Sequence, residues 1–329
     1  MTTSETTDEQ VTAKTSVADL QQMATKLREN IQRVIVGKSD AIDLAVLALL
    51  CKGHVLLEDV PGIGKTTLAK ALAQSLGCEF RRIQFTPDLT PTDVLGVNFY
   101  NQKSGEFEFR EGPVFTQVLL ADEINRATPR TQAALLEAMQ ERQATIDGET
   151  RRLEEPFVVM ATQNPVELEG TFPLPEAQLD RFMVRVRLGY PSAEEEAAIY
   201  QRSGQGRLDV AVKGVTTSNE VVRLQALAPE VRVNEAVRTY ITNVVRATRE
   251  SDSISLGASP RAGLALYKMS QARAAINGRD YVKPDDVKAL AAPVLAHRMV
   301  LGPTARLRGR TTTEVVAEVL TKVSVPIEG

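Results

Sequence analysis

The chain has 329 residues, about twice the roughly 150 of a typical domain, so two packed domains are expected. Hydrophobic residues make up 43% and charged residues 25%, a composition that excludes collagen-like, coiled-coil and wholly disordered chains. With 39 basic and 42 acidic side chains, the formal charge of −3 leaves no broad basic surface for phosphate backbones, which disfavours nucleic acid as a partner.

The N-terminal segment, residues 1–16, is rich in Thr and poor in apolar side chains, so a mobile tail is predicted there. It has neither the basic start nor the apolar stretch of a signal peptide. The longest apolar run, Leu44 to Cys51, is far shorter than the roughly 20 residues that cross a bilayer. The two cysteines, Cys51 and Cys78, cannot supply a disulfide framework. These features predict a cytoplasmic protein without membrane insertion.

Residues 17–190 are predicted to form an α/β domain. Apolar residues spaced by three and four from Val17 to Ile35 indicate a helix with one buried face, and a second helix is predicted from Ser39 to Lys52. Short apolar runs then alternate with helical patterns, which is typical of a mostly parallel sheet covered on both faces. The predicted strands are 54–58, 80–85, 118–122, 157–162 and 183–188, and the clearest helices between them are 65–76 and 131–140.

Residues 191–329 are predicted to form an all-helical domain, because helical patterns follow one another there without comparable strands. Asn234 and Ser259 stand where helix N-caps are expected, Pro260 fits a first turn, and Gly278 follows a helix end. The predicted fold class is therefore an α/β core with a parallel sheet, followed by a helical domain.

The clearest chemical signal is the segment VLLEDVPGIGKTTLAKAL, residues 55–72, in which a strand runs through a glycine-bearing loop into an amphipathic helix. Backbone N–H groups in such a loop face an anion, and the helix N-terminus adds its dipole. Lys65 supplies a charge for the β- and γ-phosphates of a nucleotide, and Thr66 supplies a hydroxyl ligand for Mg²⁺. The predicted nucleotide-binding residues of this segment are Pro61, Gly62, Ile63, Gly64, Lys65, Thr66 and Thr67.

One position departs from the strict phosphate-loop pattern G-x-x-x-x-G-K-S/T, because Asp59 stands where its first glycine belongs. A plain strand-turn-helix junction is the alternative interpretation. The strand before the loop, the helix after it and the GKT triplet agree with one another. Nucleotide binding is therefore predicted despite Asp59, whose effect on affinity the sequence leaves open.

A second predicted strand ends on two adjacent carboxylates, in the segment LLADEINRA. Asp122 stands where a residue that holds Mg²⁺ belongs, and Glu123 beside it can orient or deprotonate a water in line with the γ-phosphate. A solvated strand end is the alternative interpretation. In combination with the phosphate loop, the two carboxylates favour hydrolysis over a non-hydrolysing scaffold in which ATP only promotes assembly.

The motifs VPGIGKTT, LLADEINRA, MATQNP, LPEAQLDRF and GASPRA occur in this order, and together they resemble the MoxR branch of the AAA+ ATPases over nearly all of residues 17–329. The resemblance implies an AAA+ P-loop core followed by a helical lid, and Mg-ATP hydrolysis in a homo-oligomeric ring, a hexamer in this family. It also implies protein clients, chaperone-like maturation, and a partner chain with a von Willebrand factor A domain. Related AAA+ branches include nucleic-acid remodelling motors, which remain the rival function, with the charge of −3 against it.

Three further residues take their roles from the resemblance. Asn164 resembles sensor 1, which holds the attacking water, and Arg181 resembles the arginine finger that reaches the γ-phosphate of a neighbouring subunit. Arg126 is a second candidate for that role. Arg261 resembles sensor 2, which couples the bound nucleotide to the angle between domains. The alternatives are a turn before Pro165 for Asn164 and ordinary ion pairs for the arginines.

The resemblance also places adenine recognition in the segment VIVGKSDAI. Its apolar side chains and backbone, at Ile35, Val36 and Gly37, are the predicted contacts of the base. The alternative is that Ile35 and Val36 only pack into the core of the domain. Both interpretations use the same apolar character, so the sequence does not separate them.

Two segments are predicted to form β-hairpins that extend from the core. Residues 94–115 have aromatic residues on both sides of a turn, and the segment RQATIDGETRRLEEP contains the turn signal Asp147-Gly148. Either hairpin is a candidate for contact with a client or partner. The alternative is a solvated hairpin with no contact role.

Overall fold

The computed structural model describes residues 16–165, 170–205 and 212–326. None of the helices in these ranges is both long enough and apolar enough to cross a membrane. The α-helices are α1 (Val17–Ile31), α2 (Ser39–Leu50), α3 (Lys65–Ser75), α4 (Pro91–Leu95), α5 (Pro129–Glu141), α6 (Glu176–Leu179), α7 (Ala193–Gly204), α8 (Ser218–Leu227), α9 (Glu235–Arg249), α10 (Pro260–Ile276), α11 (Pro284–Leu295), α12 (Pro303–Leu307) and α13 (Thr312–Lys322). The strands are β1 (Val55–Glu58), β2 (Phe80–Gln84), β3 (Gly96–Asn101), β4 (Glu106–Glu111), β5 (Val118–Asp122), β6 (Gln143–Ile146), β7 (Glu149–Arg152), β8 (Val158–Gln163), β9 (Val184–Val186), β10 (Ile254–Leu256) and β11 (Val300–Leu301).

The central sheet has the strand order β2-β5-β8-β1-β9, and each pair of neighbouring strands is parallel. These strands are the five apolar runs predicted to be strands, and the prediction of a parallel sheet is confirmed. Parallel strands all end at the same edge of a sheet. The loop after β1, the acidic pair at the end of β5 and Asn164 after β8 therefore meet at that edge.

Alternate residues of the central strands pack into two separate cores, one on each face of the sheet. In β5, Val118 and Leu120 belong to the core that includes α1, α2, α3 and the helices of the second domain. Leu119 and Ala121 belong to the core on the other face, which includes α5. All four side chains are fully buried. Burial on both faces explains why these strands appear in the sequence as continuous apolar runs.

The first helix is shorter than predicted, because α1 ends at Ile31 and the chain turns before Ile35. Ile35 is nevertheless buried, and Val34 packs against the same core, so the apolar periodicity continues past the end of the helix. The predicted tail, residues 1–16, lies outside the described residues apart from Ser16. Ser16 is the N-cap of α1 and forms a capping box with the first turn.

The region predicted to be an all-helical domain, residues 191–329, contains helices α7 to α13 and one element that the sequence did not predict. Strands β10 and β11 form a two-stranded antiparallel ribbon, so this domain is not built from helices alone. Runs this short show no alternation that could be recognised in the sequence. The predicted caps are confirmed: Asn234 and Ser259 accept N–H groups of α9 and α10, Pro260 opens α10, and Gly278 has a φ of +72° just after it.

Both predicted hairpins are present. Strands β3 and β4 pair antiparallel, and β6 and β7 turn through Asp147 and Gly148, which both have positive φ. The hairpins contact each other, because Asn98 Nδ2 donates to Asp147 Oδ2 at 2.9 Å. The Arg151 guanidinium also lies 4.0 Å from the centre of the Phe109 ring. Contact of either hairpin with a client remains a prediction.

His54, which directly precedes β1, connects the sheet to α5. Its ring is buried, its Nδ1 accepts the Val159 N–H at 3.0 Å, and its Nε2 lies 2.9 Å from the Met139 carbonyl oxygen. Burial lowers the pKa of His54 from 6.5 to about 4. The folded protein therefore keeps this ring neutral at pH values where the unfolded chain protonates it.

This difference predicts a loss of stability in mild acid. The stability that neutral His54 contributes is present above pH 6.5 and is lost as the pH falls toward 4, because the unfolded chain then binds more protons. Between pH 7.5 and 5.5 we expect the His54 contribution to the free energy of unfolding to fall by about 1 kcal/mol. Urea unfolding at both pH values should show that His54→Asn loses about 1 kcal/mol less than the wild type. An equal loss in the two proteins contradicts this prediction.

Candidate nucleotide-binding site

A cavity of about 420 Å³ opens at the edge of the sheet where the central strands end. It brings together residues from the loop after β1, the first turn of α3, and the ends of β2, β5 and β8. Its lining residues are Pro61, Gly62, Gly64, Lys65, Thr66, Thr67, Arg82, Gln84, Asp122, Glu123 and Asn164. Most of the residues predicted to bind and hydrolyse a nucleotide therefore share one cavity.

The loop backbone is shaped for an anion. Gly62 and Gly64 have φ values of +83° and +94°, a left-handed conformation that glycine adopts without strain. A Cβ atom at Gly62 would meet no atom within 4 Å, so the loop presents its backbone to open space. Helix α3 begins at Lys65, and the N–H groups of its first turn have no partners within the helix.

Lys65 lies between this loop and the acidic pair. Its Nζ donates to the Asp59 carbonyl oxygen at 2.7 Å. Burial lowers the pKa of Lys65, and the charges of Asp122, Asp59 and Glu123 act in the opposite direction. The three carboxylates thus favour the protonated form of Lys65, and the half-buried ammonium has already lost part of the hydration that a phosphate would replace.

Thr162 of β8 holds both acidic residues in place. Its Oγ1 donates to Asp122 Oδ1 at 2.6 Å and accepts the Glu123 N–H at 2.8 Å. Glu123 has a φ of +56°, a left-handed conformation that costs energy for a residue with a Cβ. This backbone turns the Glu123 side chain toward the cavity, where its Oε2 accepts from Arg126 Nη1 at 3.3 Å. The structure thus places Arg126 against the acidic residue of its own chain.

Arg82 is a site residue that the sequence analysis missed. Its Nη2 and Nε donate to Asp122 Oδ2 at 2.7 and 3.1 Å, and its Nη2 also donates to Gln84 Oε1 at 2.6 Å. The available signal was the period of two in FRRIQF, which places Arg82 and Gln84 on one face of β2 near its end. Their relation to Asp122 depends on β2 pairing with β5.

The predicted adenine segment lies beside the phosphate loop but does not line the cavity. Ile35 is buried, and a Cβ at Gly64 would lie 3.9 Å from Ile35 Cδ1. Val36 and Gly37 are half-buried, and a Cβ at Gly37 would meet the side-chain carboxylate of Glu195, in the first turn of α7. Ile63 packs against the core instead of facing the cavity.

Arg181 and Arg261 do not line the cavity either. Arg181 is half-buried just after α6, and its guanidinium pairs with no side chain among residues 16–165, 170–205 and 212–326. The adjacent Asp180 accepts from Ser259 Oγ at 3.0 Å, and its Oδ1 forms an ion pair with Arg298, 3.1 Å from Nε. Burial lowers the pKa of Arg298 to about 10, Asp180 opposes this shift, and the charge of Arg261 adds to it. Because Ser259 stands two residues before Arg261, its bond to Asp180 brings the start of α10, which carries Arg261, close to the segment of Arg181.

The fold and the cavity define a class of protein. A parallel sheet whose strand ends carry a glycine-bearing phosphate loop and an acidic pair is a P-loop nucleoside-triphosphate-binding domain. Comparison with known families agrees with this class. The family described as "ATPase family associated with various cellular activities (AAA)" matches residues 54–184, and the "AAA lid domain" matches residues 246–319.

Individual relatives identify the branch of this class. Protein YeaC of Bacillus subtilis (strain 168) is 50% identical over 94% of this chain and 97% of its own length. Chaperone MoxR1 of Mycobacterium tuberculosis is 44% identical over 90% of this chain and 80% of its own length. A crystal structure from Cytophaga hutchinsonii has a TM-score of 0.88 at 39% identity and covers 94% of this chain and 97% of that one. The chain belongs to the MoxR family of AAA+ ATPases, and the predicted AAA+ core followed by a helical lid is confirmed.

Proposed function

We propose that this protein hydrolyses ATP with Mg²⁺ in a ring of identical subunits, and that the resulting change of shape remodels or matures partner proteins in the cytoplasm. The proposal rests on one observation, which is that Lys65, Asp122 and Glu123 line the same cavity of about 420 Å³. A bare anion site would need the loop and Lys65 alone. Hydrolysis additionally needs a base, and Glu123 is the carboxylate available for that role.

Several groups of the cavity have distinct roles in this reaction. The loop N–H groups and Lys65 bind the β- and γ-phosphates, and Glu123 accepts a proton from the attacking water. Asn164 orients that water from the end of β8. Thr162 fixes the Asp122 carboxylate and the Glu123 backbone, so these two groups require little rearrangement when ATP enters.

The residues present fit Mg²⁺. The Thr66 hydroxyl and the Asp122 carboxylate are hard oxygen donors on the wall of the cavity. Within the described part of the chain, no group of three or more His, Cys, Asp or Glu residues could hold a metal by itself. This donor set suits an ion that is held largely by phosphate oxygens and water, as Mg²⁺ is in nucleotide sites. Mg²⁺ bound with ATP neutralises charge that develops on the phosphates.

The arginines support assembly into a ring. Arg181 is half-buried and outside the cavity of its own chain, and Arg261 follows Ser259, which bonds to Asp180, by two residues. We propose that Arg181 reaches the nucleotide of a neighbouring subunit, with Arg261 beside it, and that six subunits close the ring. The relative named Chaperone MoxR1 supports a chaperone-like role toward protein clients. A separate chain with a von Willebrand factor A domain is the proposed partner.

A mixing experiment tests the shared site. Arg181→Ala should lower turnover at least about 100-fold, because an arginine finger stabilises charge on the transferred phosphoryl group. Glu123→Gln should be inactive for a different reason. In an equal mixture, about a quarter of the interfaces pair an intact Glu123 with an intact Arg181 from the neighbour, so activity should return. ATPase activity is measured with Mg²⁺ across a dilution series.

The exposed Arg308 provides the control, and Arg308→Ala should keep wild-type turnover. Activity per molecule should rise with protein concentration as rings assemble. Two results together would exclude the ring mechanism: no recovery in the mixture, and wild-type activity that stays constant down to a demonstrated monomer. That outcome would leave Mg-ATP hydrolysis within a single subunit.

A further inference from the structure

Asp59, which replaces the first glycine of the strict phosphate-loop pattern, uses all of its polar groups. Its N–H donates to the Gln163 carbonyl at the end of β8 (3.2 Å), and its carbonyl accepts from Lys65 Nζ at 2.7 Å. Its carboxylate accepts the Val60 N–H at 3.0 Å and the Gly189 N–H at 2.7 Å. Asp59 therefore joins the phosphate loop to a residue 130 positions later in the chain.

Gly189 belongs to the linker between the two domains, residues 187–192, which joins β9 to α7. Its φ of +63° bends the linker in a left-handed turn that favours glycine. The linker has a second attachment one residue later, where Lys38 Nζ donates to the Tyr190 carbonyl at 3.0 Å. Lys38 also pairs with Glu195 in the first turn of α7 at 3.1 Å. The linker is thus held from the phosphate loop and from the predicted adenine segment.

We propose that Asp59 is a positioning residue that couples nucleotide occupancy to α7 through its bond to Gly189. The proposal rests on the proposed function, since it requires the cavity to bind ATP. Lys65 can serve a phosphate only by leaving or sharing the Asp59 carbonyl, so binding alters the surroundings of Asp59 directly. Only Tyr190, Pro191 and Ser192 separate Gly189 from α7. With glycine at position 59, the loop would still bind phosphate but would not hold the linker.

Two variants test the Asp59 bridge, defined as the bond from the Gly189 N–H to the Asp59 carboxylate. Asp59→Asn keeps the size of the side chain but has one acceptor oxygen for two N–H donors. Asp59→Gly completes the strict loop pattern and removes the bridge. Asp285→Asn, at an exposed position in the first turn of α11, makes the same chemical change outside the cavity and is the matched control.

The first readout is hydrogen exchange resolved at the Gly189 amide without nucleotide, so it does not depend on the proposed function. We expect exchange at least about tenfold faster in Asp59→Gly than in the wild type or Asp285→Asn. Equal exchange in the wild type and Asp59→Gly overturns the proposal, even if ATP binding and hydrolysis are normal. Absence of ATP binding by the wild type would instead reject the proposed function, and with it the coupling role.

The second readout is the change in α7 exchange that a non-hydrolysable ATP analogue produces. In Asp59→Gly we expect this change to fall to less than about half of the wild-type value. The Kd for the analogue should stay within about threefold of the wild type, and the kcat for ATP hydrolysis should be about tenfold lower. Asp59→Asn should be intermediate, and Asp285→Asn should match the wild type. A full α7 response in Asp59→Gly overturns the proposal. So does a large loss of analogue affinity, because Asp59 would then act in phosphate binding.

Discussion

Glu123→Gln is expected to bind ATP with a Kd within about threefold of the wild type and to lower kcat at least about 100-fold. The amide keeps the size of the side chain. The hydrogen bond to Thr162 is also kept, because the backbone N–H of residue 123 makes it. The amide cannot accept the proton of the attacking water. The measurement pairs ATP binding by calorimetry with phosphate release at saturating ATP.

Glu137 of α5 supplies the matched control for this prediction. It is exposed and does not line the cavity, so Glu137→Gln should leave both quantities unchanged. Retention of more than about half of the wild-type kcat by Glu123→Gln would remove Glu123 from the role of base. The same acid-to-amide change at the two positions separates loss of the base from a general effect of lost negative charge.

Lys65→Ala is expected to weaken ATP binding at least about 100-fold, because charge-assisted bonds to two phosphates are lost together. The ammonium is already half-buried and held by the Asp59 carbonyl, so little ordering is needed when it binds phosphate. Calorimetric titration with a non-hydrolysable ATP analogue measures the Kd. Phosphate release should fall with binding, in contrast to Glu123→Gln.

Lys70→Ala is the control for Lys65→Ala, since Lys70 is an exposed lysine of the same helix. It should keep wild-type affinity and turnover. If Lys65→Ala retained an analogue Kd within about threefold of the wild type, the loop would not be the phosphate site, and the proposed function would fail at its first step. Thermal unfolding of both variants shows whether either change acts through stability.

Features built by neighbouring residues could be predicted from the sequence. Gly62 and Gly64 have the left-handed backbone that a phosphate loop requires, and Asp147-Gly148 forms the turn of the second hairpin. The strand positions followed from apolar runs, since burial on both faces leaves no polar alternation. Each of these signals depends on the backbone preferences or burial of residues close together in the chain, which local composition determines.

Other features depend on contacts between distant segments. The helix ends at Ile31 although the apolar pattern continues to Ile35. The pattern did not reveal this end, because apolar spacing reports which residues are buried and not whether they are helical. The ribbon of β10 and β11 is too short to show a pattern. Arg82 lies in the site because β2 is next to β5 in the sheet. No property of the segment FRRIQF specifies this strand order.

The sequence by itself determined the class of chemistry in this protein: a phosphate loop, an acidic pair and a parallel sheet that brings their strand ends together. Only the tertiary structure decided which arginine contacts Asp122, that the start of α10 lies against Asp180, and that Asp59 reaches Gly189. The physical reason is that a strand end or a loop conformation follows from local backbone preference and burial. A contact across 130 residues follows from the order of the strands and the path of the linker, which local preference does not specify.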